Sequence, residues 1–229
     1  PGSRFEISRP HSGRLTEMTK QLGQGFESLE DRTLLAGNIT ATLVGDTLYV
    51  VGNNTDNDIS IYGNSGDGEV EVYVGKGETL NGDGTSADFS GVANIVVVGL
   101  RGNDSISVND MDIQGNLTIN GGVGNDRIWV YGGIGNDTHV IGGAVIASGG
   151  TGDDRISISG GGGNDGLAVG LVLLNGDAGN DDLYVYDVSV STNVSLIGGT
   201  GNDDFELEYN TIGGSASILG QAGNDRICV

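Results

Sequence analysis

From residue 99 onward one phrase recurs: GLRGND, GGVGND, GGIGND, GGTGDD, GGGGND, GDAGND, GGTGND and GQAGND. The aspartates that close it are Asp104, Asp126, Asp137, Asp154, Asp165, Asp181, Asp203 and Asp225, spaced 22, 11, 17, 11, 16, 22 and 22 residues apart. Pooling each gap of 11 with the longer gap after it leaves Asp104, Asp126, Asp154, Asp181, Asp203 and Asp225, spaced 22, 28, 27, 22 and 22. The base period is 22, and two units carry an insertion. A unit this short cannot bury an apolar face alone, so successive units must stack and share a core.

The apolar residues keep the same register. Two positions after these six aspartates stand Ile106, Ile128, Ile156, Leu183, Phe205 and Ile227; four positions after stand Val108, Val130, Ile158, Val185, Leu207 and Val229. Mostly polar residues alternate with them, which is the period of a half-buried strand. A second strand precedes each corner, with pairs such as Ile95 and Val97, Leu117 and Ile119, or Val172 and Leu174. A weaker third run lies between, at Asp112-Ile113, His139–Ile141, Leu167–Val169, Val188–Val190 and Thr211-Ile212. The expected fold is all-β: a parallel β-solenoid, β-helix-like or β-roll-like, with about 22 residues and three short strands per coil. Glycine supplies the corners and accounts for 44 of 229 residues. Gly and β-branched residues leave no helical period.

Ahead of the repeats, NITATLVGDTLYVVG reads as two strands around a Gly-Asp turn, and DISIYGNSGDGEVEVYVG as a hairpin with Val70, Val72 and Val74 on one face. Asp58 resembles a first repeat whose register has slipped, because its apolar neighbours come one and three positions later. The expected organisation is an N-terminal targeting, anchoring or assembly segment at 1–37, a β-hairpin cap at 38–93, and the Gly/Asp-rich solenoid at 94–229.

Charge separates these parts. Residues 1–37 hold five basic and five acidic residues, so the remaining 26 acids and five bases carry the whole net charge of -21. Nucleic acid and anionic membrane surfaces need a basic footprint and are excluded as expected partners. The longest nearly apolar run, residues 167–174, is too short for a membrane helix, so no membrane insertion is expected. Two His and one Cys argue against a zinc site. Cys228 has no internal partner for a disulfide; on an outward position it is either incidental or a cross-link between neighbours.

The recurring GGxGxD phrase resembles the RTX, or hemolysin-type calcium-binding, repeat, with five of eight copies matching in full. The resemblance implies Ca2+ held between aspartate carboxylates and backbone carbonyls of adjacent turns, here by Asp104, Asp126, Asp137, Asp154, Asp165, Asp181, Asp203 and Asp225. The family sets its nonapeptides in tandem, closer than the spacing here; Asp137 and Asp165 alone could form a second row. The segment Leu29-Glu30-Asp31-Arg32-Thr33-Leu34-Leu35 resembles the LEPR-XLL motif of exported bacterial proteins, with Asp31 in place of its Pro. It implies a secreted, extracellular or cell-surface location. Residues 1–30 show no signal-peptide apolar core, so a conventional secretion signal is expected to be absent or removed.

Stacked coils about 4.8 Å apart would line six aspartates into one column. Adjacent carboxylates then repel by about 0.9 kcal/mol in a water-like dielectric and about 3.5 kcal/mol at an effective dielectric of 20. Hard cations, raised pKa values, or hydrogen bonds from the corner's own amides could each relieve this. Arg155 is expected beside Asp182, and Asp204 beside Arg226, as exposed ion pairs worth little each. Trp129 and Tyr184 point outward at one strand position, two coils apart. They read either as exposed aromatics on a flat sheet, the plainer alternative, or as a carbohydrate-stacking platform. His139 reads as a strand residue.

The functional expectation is a non-catalytic structural repeat protein that binds divalent cations at its corners. Self-assembly, head to tail or by strand addition, is a second expectation, because the last strand is an open sheet edge. A polysaccharide lyase or carbohydrate-binding module is the alternative. The lyase would need clustered Asp ligands and a basic residue on the strand faces, whereas the acids sit at corners and Arg127 and Arg155 are isolated.

Overall fold

A computed structural model describes residues 38–64, 69–133, 137–161 and 166–229. The expectations for residues 1–37, for the tip of the hairpin and for Asp165 lie outside these residues. The first strands are β1 (Asn38–Val44), β2 (Thr47–Val51), β3 (Asp58–Asn64), β4 (Glu69–Val74), β5 (Thr79–Leu80) and β6 (Ser86–Ser90). The repeats follow as β7 (Asn94–Arg101), β8 (Ser105–Asn109), β9 (Leu117–Val123), β10 (Arg127–Tyr131), β11 (Thr138–Thr151), β12 (Arg155–Ser159), β13 (Gly166–Ala178) and β14 (Asp182–Tyr186). The last are β15 (Val188–Val190), β16 (Val194–Thr200), β17 (Asp204–Glu208), β18 (Thr211–Ile212), β19 (Ala216–Ala222) and β20 (Arg226–Cys228). Among the described residues there is no helix.

The chain is all-β, with two mixed sheets. In one, β2, β7, β9, β11, β13, β16 and β19 pair in parallel, each with its predecessor one repeat earlier. In the other, β3, β8, β10, β12, β14, β17 and β20 do the same. Antiparallel partners cover the early edges: β1 pairs with β2, β4 with β3, and β6 with β4. The Gly-Asp turn between β1 and β2 is present, with Gly45 at φ +65°. Val70, Val72 and Val74 share one buried face.

The alternation places the repeats' apolar residues inside. Ile106, Val108, Ile128, Val130, Ile156, Ile158, Leu183, Val185 and Phe205 are all buried, and they join Ile95, Val97, Leu117, Ile119, Val172 and Leu174 in one core. Burying each large aliphatic side chain contributes about 1.5–3 kcal/mol. Ile227 and Val229 keep the register but are 52% and 82% exposed, since β20 has a parallel partner on one side only.

Two details differ from the sequence reading. The third apolar run does not build a sheet of its own. In β11 and β13 it runs on into the second strand of the coil, through a register shift between Ile141 and Ala144. Each repeat therefore feeds two sheets. The register at Asp58 has not slipped either: Asp58 pairs with Ser105 and Ile59 with Ile106, which puts Asn57, not Asp58, at the corner position of Asp104.

Candidate functional site

The corner aspartates form a column, and it is closed to water. Asp104, Asp126, Asp154, Asp181 and Asp203 are between 0% and 3% exposed. The Oδ1 of each accepts a backbone N–H from the coil before it. Asn57 N donates to Asp104 at 2.8 Å, Asp104 N to Asp126 at 2.7 Å, and Asp126 N to Asp154 at 2.7 Å. Asp154 N donates to Asp181 at 2.8 Å, Asp181 N to Asp203 at 2.9 Å, and Asp203 N to Asp225 at 3.1 Å. The donors come from the neighbouring repeat, not from the corner's own turn, so these bonds staple repeat to repeat.

The residue before each aspartate builds a second column in the opposite sense. Asn125 N donates to Asn103 Oδ1, Asp153 N to Asn125, Asn180 N to Asp153, Asn202 N to Asn180 and Asn224 N to Asn202, all within 2.7–2.9 Å. This column is exposed, and it begins at Asp56, which accepts from Asn103 N. The Asn-Asp pair thus joins each corner to both neighbours. Asn57 starts the inner column as an amide, its Nδ2 donating to Asp104 Oδ1 at 2.7 Å.

The other carboxylate oxygen is the anomaly. Oδ2 of Asp104, Asp126, Asp154, Asp181 and Asp203 is buried with no hydrogen-bond partner. It packs on the Cα of the glycine five residues earlier: a Cβ at Gly99, Gly121, Gly176 or Gly198 would collide with it. The same added Cβ would meet the glycine carbonyl of the next coil, as at Gly121, where Gly149 O is the second neighbour. At Gly99, Gly121, Gly176 and Gly198 two acceptor oxygens thus converge on one small space. Burial therefore raises these carboxyls from the ordinary value of 3.8, to about 6 for Asp126, about 7 for Asp154 and about 6 for Asp181. Asp104 and Asp203 shift upward for the same reason. The amide bonds to Oδ1 pull the other way, and neighbouring carboxylates add to the rise.

A paired oxygen set of this kind suits a proton or a hard cation. Calcium takes about 6–8 oxygen ligands. The unpartnered carboxylate oxygens and glycine carbonyls fit it in kind. Among the described residues no three His, Cys, Asp or Glu side chains converge on one point, so carbonyls would have to supply most of the shell. Asp225 closes the column and is half-buried, while Asp137 stands exposed just before β11, outside it.

Other expected groups fall as follows. Arg155 lies 3.5 Å from Asp182 and Arg226 lies 2.7 Å from Asp204. His139 is buried in β11, its Nδ1 at 3.3 Å from Asp112 and its Nε2 at 3.8 Å from Asp110. Trp129 and Tyr184 occupy equivalent positions two coils apart, on either side of Ser157. The sequence reading missed the outer Asn column and the Asn57 start of the inner one. The signal for the latter was Ile59 and Ile61, two and four positions after Asn57. No protein-family model, curated protein or solved structure matches the chain.

Proposed function

We propose that this chain is a non-catalytic structural module of a secreted or cell-surface protein: a parallel β-solenoid at 94–229, capped by the β segment at 38–93, whose cohesion depends on what fills its aspartate corners. The column of buried carboxylates, each with one stapling oxygen and one unpartnered oxygen, carries this reading. Its polar interior groups are spent on holding coils together. Calcium is the proposed occupant, in line with the RTX-like phrase. Asp104, Asp126, Asp154, Asp181 and Asp203 would hold it, and it would supply positive charge to a row of buried acids. The LEPR-XLL-like segment supports an exported setting. A second copy stacked on β20 would cover Ile227, which is 52% exposed although its equivalents Ile156, Leu183 and Phe205 are buried; end-to-end assembly belongs to the same reading.

Thermal unfolding followed by circular dichroism, with Ca2+, with Mg2+ and with chelator, tests it. A ligand that binds only the folded state stabilises by about 2.7 kcal/mol at a hundredfold excess over its dissociation constant. A Ca2+-specific rise in melting temperature, reduced in the Asp154→Asn variant, is the expected outcome. Identical curves in all three conditions at pH 8 would sink the calcium reading.

A further inference from the structure

The outer face of the β3–β20 sheet carries a regular pattern that the corner columns do not use. Two outward positions run across it from coil to coil. The first reads Ser60, Ser107, Trp129, Ser157, Tyr184 and Glu206; the second reads Tyr62, Asn109, Tyr131, Ser159, Tyr186 and Glu208. Aromatic pairs therefore stand on alternate coils, at β10 and β14, with small hydroxyl or amide side chains on β8 and β12 between them. Rings rise from the sheet and small residues form the floor. A cavity of about 380 Å³ opens here, lined by Ser107, Asn109, Trp129, Tyr131, Ser157 and Ser159.

The charges select what can lie there. The chain carries -21, yet the eight side chains from Ser107 to Tyr186 at these positions are all uncharged. Glu206 and Glu208 close the far end. The outward row beside them carries Arg127, Arg155 and Asp182; Arg155 pairs with Asp182 and lies over one face of the Tyr184 ring, 4.6 Å from its centre, and Tyr209 packs edge-on against Tyr186, which leaves the other ring faces to a ligand. A polyanion is repelled by the acidic molecule, and a polycation finds no partner in the slots. A neutral ligand that offers apolar C–H faces and hydroxyls matches both the ring walls and the polar floor. Alternate coils are about 9.6 Å apart. An extended β-linked glycan turns the same face to one side at every second sugar, so its repeat and the spacing of the slots correspond.

We propose that this face is a binding site for a neutral, extended β-linked polysaccharide, lying along the stacking direction with alternate sugars seated beside Trp129/Tyr131 and Tyr184/Tyr186. The site is independent of the aspartate column and of any cation there.

Trp129 is the sole tryptophan in the chain, so its emission reports directly on the site. The full chain is titrated with cello- and chito-oligosaccharides, from the disaccharide to the hexasaccharide, with oligogalacturonates as charged controls. A saturable emission shift that strengthens with chain length for at least one neutral series, and is absent for the controls, is expected. Tyr131→Ala and Tyr184→Ala each weaken binding about tenfold. Ser157→Phe, which fills a slot on the surface, abolishes it. Circular dichroism establishes that each variant keeps its fold, and affinity electrophoresis in gels containing hydroxyethyl cellulose or glycol chitin reads binding for any variant whose emission is altered. Silence of Trp129 toward both neutral series, equal binding of the charged oligomers, or indifference to the three substitutions overturns the proposal. So does sedimentation showing that the face is already buried in a dimer that Ser157→Phe dissolves, since the occupant is then a second copy of the chain.

Discussion

The second glycine of the corner phrase is replaced in three coils, by Leu100, Asp177 and Gln221, and each of these holds a positive φ of 85°, 73° and 71°. Their equivalents Gly122, Gly150 and Gly199 adopt φ between 110° and 116°. A left-handed backbone costs an L-residue about 1–2 kcal/mol, and a bulky one such as leucine is the extreme case. Leu100 is also 38% exposed, so its side chain recovers only part of what full burial would give. Leu100→Gly should therefore raise the stability by about 1 kcal/mol, after the extra unfolded-state entropy of glycine is counted. Urea unfolding of the two chains measures this; a loss of stability would show that the local φ is not strained. The opposite substitution at the first glycine, Gly121→Ala, meets Asp126 Oδ2 and the Gly149 carbonyl. That glycine is required by close packing and not by its φ.

At the scale of the corner, a two-residue Asn-Asp step makes one inward and one outward column with opposite hydrogen-bond directions. Asp154 sits at the middle of the inner column and gains from its carboxylate only the Oδ1 bond to Asp126 N–H. An amide keeps that acceptor and removes the charge from the unpartnered, buried Oδ2 position. An amide already stands at the equivalent corner position in Asn57, where Nδ2 donates to Asp104 Oδ1. Asp154→Asn should raise stability at pH 8 by about 1–3 kcal/mol, the cost of leaving a buried polar group unsatisfied. The gain should vanish at pH 5, where Asp154 is itself protonated. An equal effect at both pH values would exclude the charge as its source. The strands that lead to these corners were legible in the sequence, because the two-residue alternation after Asp104, Asp126, Asp154, Asp181 and Asp203 is a direct consequence of one buried face. The position of the aspartate column was legible for the same reason. Its burial was not. Spacing places a carboxylate at a corner, whereas exposure depends on how closely the glycine Cα of the same coil packs on it. The two-sheet layout was also hidden, since the third apolar run and the second strand differ by a local register shift and not by composition.

At the scale of the molecule, the buried column makes stability depend on pH in an unusual direction. Desolvation raises Asp126 to about 6, Asp154 to about 7 and Asp181 to about 6, from the ordinary 3.8. A carboxyl whose folded pKa is raised favours the fold in its neutral form. That contribution is complete below about pH 3.8 and is lost as pH rises through 6 to 7. Each proton that the fold holds and the unfolded chain has already lost lowers stability by at most about 1.4 kcal/mol per pH unit, and solvent screening reduces this. The overall charge of -21 adds a general self-repulsion that also eases as carboxylates protonate. Asp126, Asp154 and Asp181 hold their protons in the fold up to about pH 6, 7 and 6, so their contribution is still falling above pH 5. Urea unfolding from pH 5 to pH 8 in chelator should therefore show stability falling from pH 5 and levelling off above about pH 7, where the raised carboxyls are ionised in the fold as well, and Asp154→Asn should flatten that fall. Adding Ca2+ at pH 8 should restore part of the loss if the cation takes the place of the proton. A stability that rises between pH 5 and pH 8 would mean that the column ionises without cost, with both oxygens satisfied in solution.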